Sequence, residues 1–351
     1  MVRLKEFIRK ERLYILLLVF VILMNILMNS IQDEGKGKSR EGISNKTEKA
    51  LTLEEDIAVK RREMERRFKD NPYLAIVFSL TSLLVIAVMF LGILINGLLI
   101  SMGLSKRGID LRTSPPPAVN WNLWDVAKVV ILFIFFGYMV VLIESALARV
   151  FPVMKNDNFR MILNSAVLDT LGIVFILYFS IAQYKERLIA LGITGRNFLK
   201  NVYYGVIGYI AAVPILMAIM IATVVVINLT GYVPEKQAIV ELFLKEENAP
   251  FLLFSAVFAA IGGPIIEELF FMAFFYNALK RYAGVLWAML ATSAVFAALH
   301  AHIVGFVPIM VLGIILAYLY EKTGTIISSI TVHVIHNLTM VLFVFLAKQV
   351  S

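Results

Sequence analysis

Two adjacent carboxylates, Glu267 and Glu268, stand inside an apolar run that opens at Gly262-Gly263-Pro264 and continues through Leu269-Phe270-Phe271-Met272-Ala273-Phe274-Phe275. An ionisable group in hydrocarbon costs about 3 kcal/mol even on the lenient scales. Such a pair therefore marks either a functional site or a neutralised contact between helices. The chain holds four histidines, His300, His302, His333 and His336, and all follow the pair within 37 residues of one another. A lone histidine on an apolar face is ordinarily a satisfied core residue. Four of four, gathered after a carboxylate pair, point to a site.

Spacing indicates the chemistry. Phe296 and His300 share a helix face at i,i+4, and so do His333 and Asn337. One helix thus offers Glu, a second offers His, and a third offers His with Asn; side chains from facing helices converge inside bundles. A positioned carboxylate can take a proton from water. His300 can hold that water. His333 and Asn337 can donate hydrogen bonds to the oxyanion that develops on a carbonyl. The set suits hydrolysis of an amide by activated water and needs no nucleophilic side chain. Pro264 fits the first turn of a helix, and the glycines loosen the turn before it, which puts Glu267 near the start of a half-helix.

The elements that must position these groups are membrane helices. The chain has 351 residues, 60% of them hydrophobic, and its apolar runs recur at about 20 residues. Backbone groups in lipid must be satisfied internally, and a barrel's alternation is absent. The expected fold is all-α, a polytopic transmembrane bundle of eight or nine spans with a short polar insert near the N-terminus. After an N-terminal anchor the spans are expected at about 73–102, 126–150, 161–183, 202–229, 251–279, 284–301, 303–320 and 326–347. This divides the chain into a signal-anchor helix (1–30), a polar insert (31–72), accessory helices (73–158) and a catalytic core (159–351). Trp121 and Trp124, after Pro115-Pro116-Pro117, are expected at a membrane interface. Two further intramembrane acids, Glu144 and Asp169, suit structural pairings, with Arg149 near Glu144 in sequence.

Charge excludes other classes. The net charge of +8 comes from Lys and Arg that lie mainly in loops, with no aromatic-interleaved basic groove, so the partners are the lipid bilayer and a substrate in it, not nucleic acid. Absence of cysteine removes thiol catalysis, disulfides and thiolate metal sites. No cofactor is expected, and no metal, since His-Glu-x-x-His is missing. Five cations in the first twelve residues, followed by Leu13–Met28, read as an uncleaved signal anchor with a cytoplasmic N-terminus in the cell membrane. The insert carries 11 Lys or Arg and 10 Asp or Glu over residues 31–71, a solvated, charge-mixed surface with a helix expected over Thr52–Asp70, capped by Thr52 and Glu55. Asn45-Lys46-Thr47 matches a glycosylation sequon.

Glu267-Glu268, Phe296 to His300, and His333 to Asn337, in that order on successive apolar helices, resemble the CPBP family. These are the intramembrane glutamic proteases related to the CAAX prenyl endopeptidase, also called the Abi family. That family shows Glu-Glu-x-x-x-Arg, then Phe-x-x-x-His, then His-x-x-x-Asn. The resemblance covers residues 160–347 and includes Leu191-Gly192-Ile193. It implies that Glu267 is the general base, that His300 shares the water, that His333 and Asn337 stabilise the oxyanion, and that Glu268 is a supporting carboxylate. The implied substrate is a peptide or lipidated protein: a prenylated tail, a bacteriocin leader or a membrane-anchored peptide.

The sequence departs from the family at Met272, which stands where the motif has arginine, one turn beyond Glu268. Glu268 is then expected to be either neutral or hydrogen-bonded to His302 or His336, which lie outside the three motifs. Met272 also favours a second reading, a non-catalytic binding or immunity protein that kept the fold. A third is a proton-coupled transporter using the Glu and His cluster as a relay.

Overall fold

The computed structural model describes residues 2–35, 61–104, 116, 118–232 and 237–350. Among the described residues every regular element is helical. α1 (Val2–Lys10) and α2 (Arg12–Gly35) precede α3 (Pro72–Leu104), α4 (Leu123–Leu147) and α5 (Asp157–Leu177), which a wide π turn extends to Gln183. α6 (Phe198–Thr230) and the short α7 (Ala238–Lys245) follow. α8 (Ala249–Val257) and α9 (Gly263–Glu268) are separated by a π turn over Phe258–Gly262, and a second π segment, Leu269–Tyr276, leads into α10 (Asn277–Leu299). α11 (Ile303–Thr323) and α12 (Ile326–Val350) complete the chain. Of the expected helix over Thr52–Asp70, residues 61–70 are helical. Thr52, Glu55, Asn45, Pro115 and Pro117 lie outside the described residues.

Among the described residues seven helices are long and apolar enough to cross a membrane. The longest, Ala249–Leu299, is 51 residues, about 76 Å at 1.5 Å per residue and more than twice a hydrocarbon core. It is a hairpin. The rings of Phe271 and Phe296 lie 5.0 Å apart, whereas a straight helix would separate them by roughly 37 Å. The reversal is at Gly284, with φ 72° and ψ 174°, a conformation essentially restricted to glycine. The two expected spans on either side of residue 284 are therefore both present. The apolar part of α2, Arg12–Leu27, is shorter than the other spans. Large apolar side chains exposed along these helices, such as Leu80, Leu83 and Ile86 of α3, are what a helix surrounded by acyl chains presents. The chain is an integral membrane protein.

The chain forms two compact units. The first comprises residues 1–77, 127–168 and 349–351. In it Lys128 of α4 reaches both carboxylate oxygens of Glu11 at 3.1 Å, both side chains being nearly buried, and its ammonium lies 5.1 Å from the ring centre of Tyr14. Phe20 and Phe135 meet edge to face at 5.3 Å. Glu144 takes a hydrogen bond from Asn164 Nδ2 at 3.0 Å, not from Arg149, which stands five residues on and faces another side of the chain as it leaves the helix.

The second unit comprises residues 78–126 and 169–348 and contains all three motifs. Its helices approach closely. A Cβ at Gly205 of α6 would fall 2.5 Å from Thr331 Cβ of α12, so glycine there sets the spacing of the two helices, as small residues do at membrane helix interfaces. Trp121, expected at an interface, is fully buried. Its indole donates to Phe274 O at 2.9 Å and stacks on the Phe274 ring at 5.3 Å. The reason is the following segment: Arg281 donates to the carbonyls of Val119, Asn120 and Trp121 and draws the loop onto the π segment after Glu268. Tyr184 secures the far end of that loop by donating to Asp125 Oδ2 at 2.6 Å. Burial, then that bond, push its hydroxyl up to about 12, so it stays a donor at any physiological pH.

Candidate active site

Glu267 and Glu268 lie on one helical turn between two π segments. Gly262 and Gly263 have helical backbone angles (φ −61°, ψ −55° and φ −52°, ψ −57°). Glu267 is therefore in the body of a continuous, locally widened helix, not at the start of a half-helix, and no helix-end field acts on it. π turns recur at functional sites because the extra residue rotates the following side chains off the regular helical face. Here the rotation falls on both sides of the carboxylates.

Glu268 is fully buried, and its Oε1 lies 2.9 Å from His333 Nδ1 on α12. His333 is itself only 2% exposed. The other ring nitrogen, Nε2, stands 3.6 Å from Glu267 Oε2, too long for a hydrogen bond yet close enough for direct Coulombic interaction. The three groups form one line: carboxylate, imidazole, carboxylate. A hydrogen bond from Nδ1–H to Glu268 fixes the ring's orientation and leaves Nε2 facing Glu267, as a carboxylate does for the histidine of a hydrolytic triad. Glu267 is the more open of the pair, its side chain 35% exposed. Oε2 of each carboxylate is buried without a hydrogen-bond partner.

His300 ends α10. Its Nδ1 is 2.8 Å from Phe296 O, so Nδ1 carries the proton and Nε2 presents a lone pair. Phe296 is buried and its ring meets three others: His300 at 4.7 Å, His333 at 5.6 Å and Phe271 at 5.0 Å. The i,i+4 pair Phe296/His300 is thus a wedge that sets both imidazoles. Asn337 Nδ2 donates to Ala259 O at 3.0 Å, in the π turn before Glu267. The structure brings Glu267, Glu268 and His333 into direct relation, joins His300 to them through Phe296, and binds Asn337 to the backbone of the same helix.

The expected substitutes for the missing arginine do not act as such. His302 Nδ1 accepts the Gly305 N–H at 2.9 Å and caps α11. His336 packs edge-on against Tyr209 at 6.3 Å. Glu268 is paired instead by the motif histidine, His333. The reason is geometric: His336 lies three residues on from His333 and faces α6, and His302 is held at a helix start. Met272 is fully buried at the arginine position. Among the described residues no three His, Asp or Glu side chains are arranged to hold a metal ion.

The sequence did not assign three residues to the site. Asp169 of α5, read as structural, lies near enough to Glu267 for their charges to interact; only its being an intramembrane acid could have flagged it. Trp121 and Phe274, which anchor the segment after the carboxylates, carry no motif.

Removal of the His333 imidazole leaves Glu268 buried without its hydrogen-bond partner. Breaking a buried ionic pair from one side costs about 3–5 kcal/mol. His333→Ala should therefore lower the thermal stability of the detergent-solubilised protein markedly. Adding Glu268→Gln to His333→Ala should recover part of the loss, because a neutral amide is cheaper to bury. Additive losses in the double variant would show that the two groups are not coupled.

Residues 249–339, which hold all three motifs, match the Type II CAAX prenyl endopeptidase Rce1-like family. No curated protein and no solved structure matches the chain. The paired carboxylates, the two histidines and the asparagine on successive membrane helices all lie within the matched segment, so the similarity to CAAX-type membrane endopeptidases is carried by residues 249–339.

Proposed function

We propose that the chain is an intramembrane endopeptidase that hydrolyses a peptide bond of a membrane-associated or lipidated substrate with a carboxylate-activated water. The observation that carries this reading is the line Glu268–His333–Glu267, a buried carboxylate orienting an imidazole toward a second, more open carboxylate. Water held between Glu267 and His300 Nε2 gives its proton to Glu267, and its oxygen attacks the scissile carbonyl. His333, donating Nδ1–H to Glu268 and Nε2–H toward the reacting centre, stabilises the oxyanion together with the second N–H of Asn337. The carbon–nitrogen bond then breaks, and Glu267 returns its proton to the leaving amine. Glu268 does not meet the substrate; it holds His333. Met272, buried where the family motif has arginine, favours one other reading, a non-catalytic binding or immunity protein with this fold.

Glu267→Gln keeps the side chain's shape and removes the basic oxygen. In cells, the native protein should generate new peptide termini in the membrane proteome that are absent with Glu267→Gln, at similar amounts of folded protein. Loss of at least a hundredfold is the scale expected for a general base. Identical termini with both proteins would rule out the assignment, and an absence of new termini with either would favour the binding reading.

The proposed setting is the cell membrane with a cytoplasmic N-terminus, from the cations of residues 1–12. In this cysteine-free chain a single cysteine at position 45 should react with an impermeant thiol reagent added outside intact cells. Reaction only after the cytoplasmic face is opened would invert the topology.

A further inference from the structure

We propose that Asn337, beside its oxyanion role, is a positioning residue, whose side-chain amide replaces the backbone donor that Pro264 lacks and so fixes the turn that aims Glu267 and Glu268. Ala259 O has two helical donors to draw on. The one in α register is Gly263 N–H, and it is bonded to Phe258 O. The one in π register would come from residue 264, which is proline and has no N–H. A carbonyl left open in this way inside a membrane helix must find a donor elsewhere. Asn337 Nδ2 supplies it at 3.0 Å. Asn337 stands one turn beyond His333 on α12, and His333 holds Glu268 at 2.9 Å. One face of α12 therefore grips the carboxylate turn on both sides, at Ala259 before it and at Glu268 within it.

The residue type follows from the task. The donor must be neutral to stay in this half-buried position, and short enough to reach a main-chain oxygen across a close helix contact. Aspartate has the same shape but only accepts when ionised. It would set oxygen against oxygen.

The contact stands on the backbone geometry alone, and only its effect on turnover rests on the hydrolytic reading. The test pairs hydrogen–deuterium exchange of a peptide covering residues 259–268, in the purified full-length protein in lipid nanodiscs, with the appearance of the native protein's product termini in cells. Asn337→Ala should raise exchange of that peptide about tenfold, the scale of one net hydrogen bond, and reduce product termini in parallel. Pro264→Ala restores an N–H that can reach Ala259 O. Combined with Asn337→Ala, it should return exchange to near the native rate and recover part of the product, the remaining loss being that of the oxyanion donor. Pro264→Ala alone should leave exchange near native. If Asn337→Ala does not yield folded protein, Asn337→Asp, of native shape, carries the same comparison.

Exchange that is unchanged in Asn337→Ala, or that is raised equally with and without Pro264→Ala, overturns the proposal. So does restored exchange with product termini as low as in Asn337→Ala alone, which would leave Asn337 acting on substrate only. If the native protein yields no product termini, the hydrolytic reading fails while the exchange arm still decides the contact.

Discussion

The hydrogen bond between Glu268 and His333 is the constraint on which the rest of the site depends. Taking a carboxylate out of water costs several kcal/mol unless the partner is close and well directed. Glu268 has no exposed surface, and one imidazole nitrogen lies 2.9 Å from it. That short contact fixes the distance between α9 and α12, so every group on those two turns inherits its position. Phe296 can wedge between His300 and His333 only because α12 is already held. The hairpin at Gly284 brings α10 back along the π segment and supplies Phe296.

Met272 gives that constraint its particular form. With an arginine at this place, Glu268 would have a fixed cation one helical turn away. Buried Met272 offers none, and Glu268 turns to the neighbouring helix. An intrahelical pair would leave α12 free to shift. The interhelical pair ties the supporting carboxylate to the imidazole that faces Glu267. On the proposed mechanism, the orientation of His333 and the stability of the bundle are then set by the same bond.

Legibility in the sequence followed the range of the interactions. Helix number, the reversal between residues 279 and 284, and the shared faces of Phe296/His300 and His333/Asn337 depend on apolar length and on helical period, both local properties. What the sequence misjudged depends on contacts made across the fold. Trp121 reads as interfacial by type, yet Arg281, 160 residues away, pulls its loop inward. The spacing to Asn337 marks His333, but only the facing of α12 against α9 and α6 shows that His333, and not His336, pairs with Glu268. Gly262-Gly263-Pro264 suggests a helix start, whereas the backbone stays helical and widens into π turns. The open carbonyl at Ala259, which Pro264 and that widening create together, becomes visible only when its donor, Asn337, is seen opposite.

The most direct test of this account is the nitrogen-15 spectrum of histidine in the labelled protein, which has four imidazoles to assign. One of them should show a protonated Nδ1 bonded to a carboxylate, and Glu268→Gln should move that signal while leaving those of His302 and His336 in place. An imidazole spectrum indifferent to Glu268→Gln would contradict the claim that the Glu268–His333 bond organises the site.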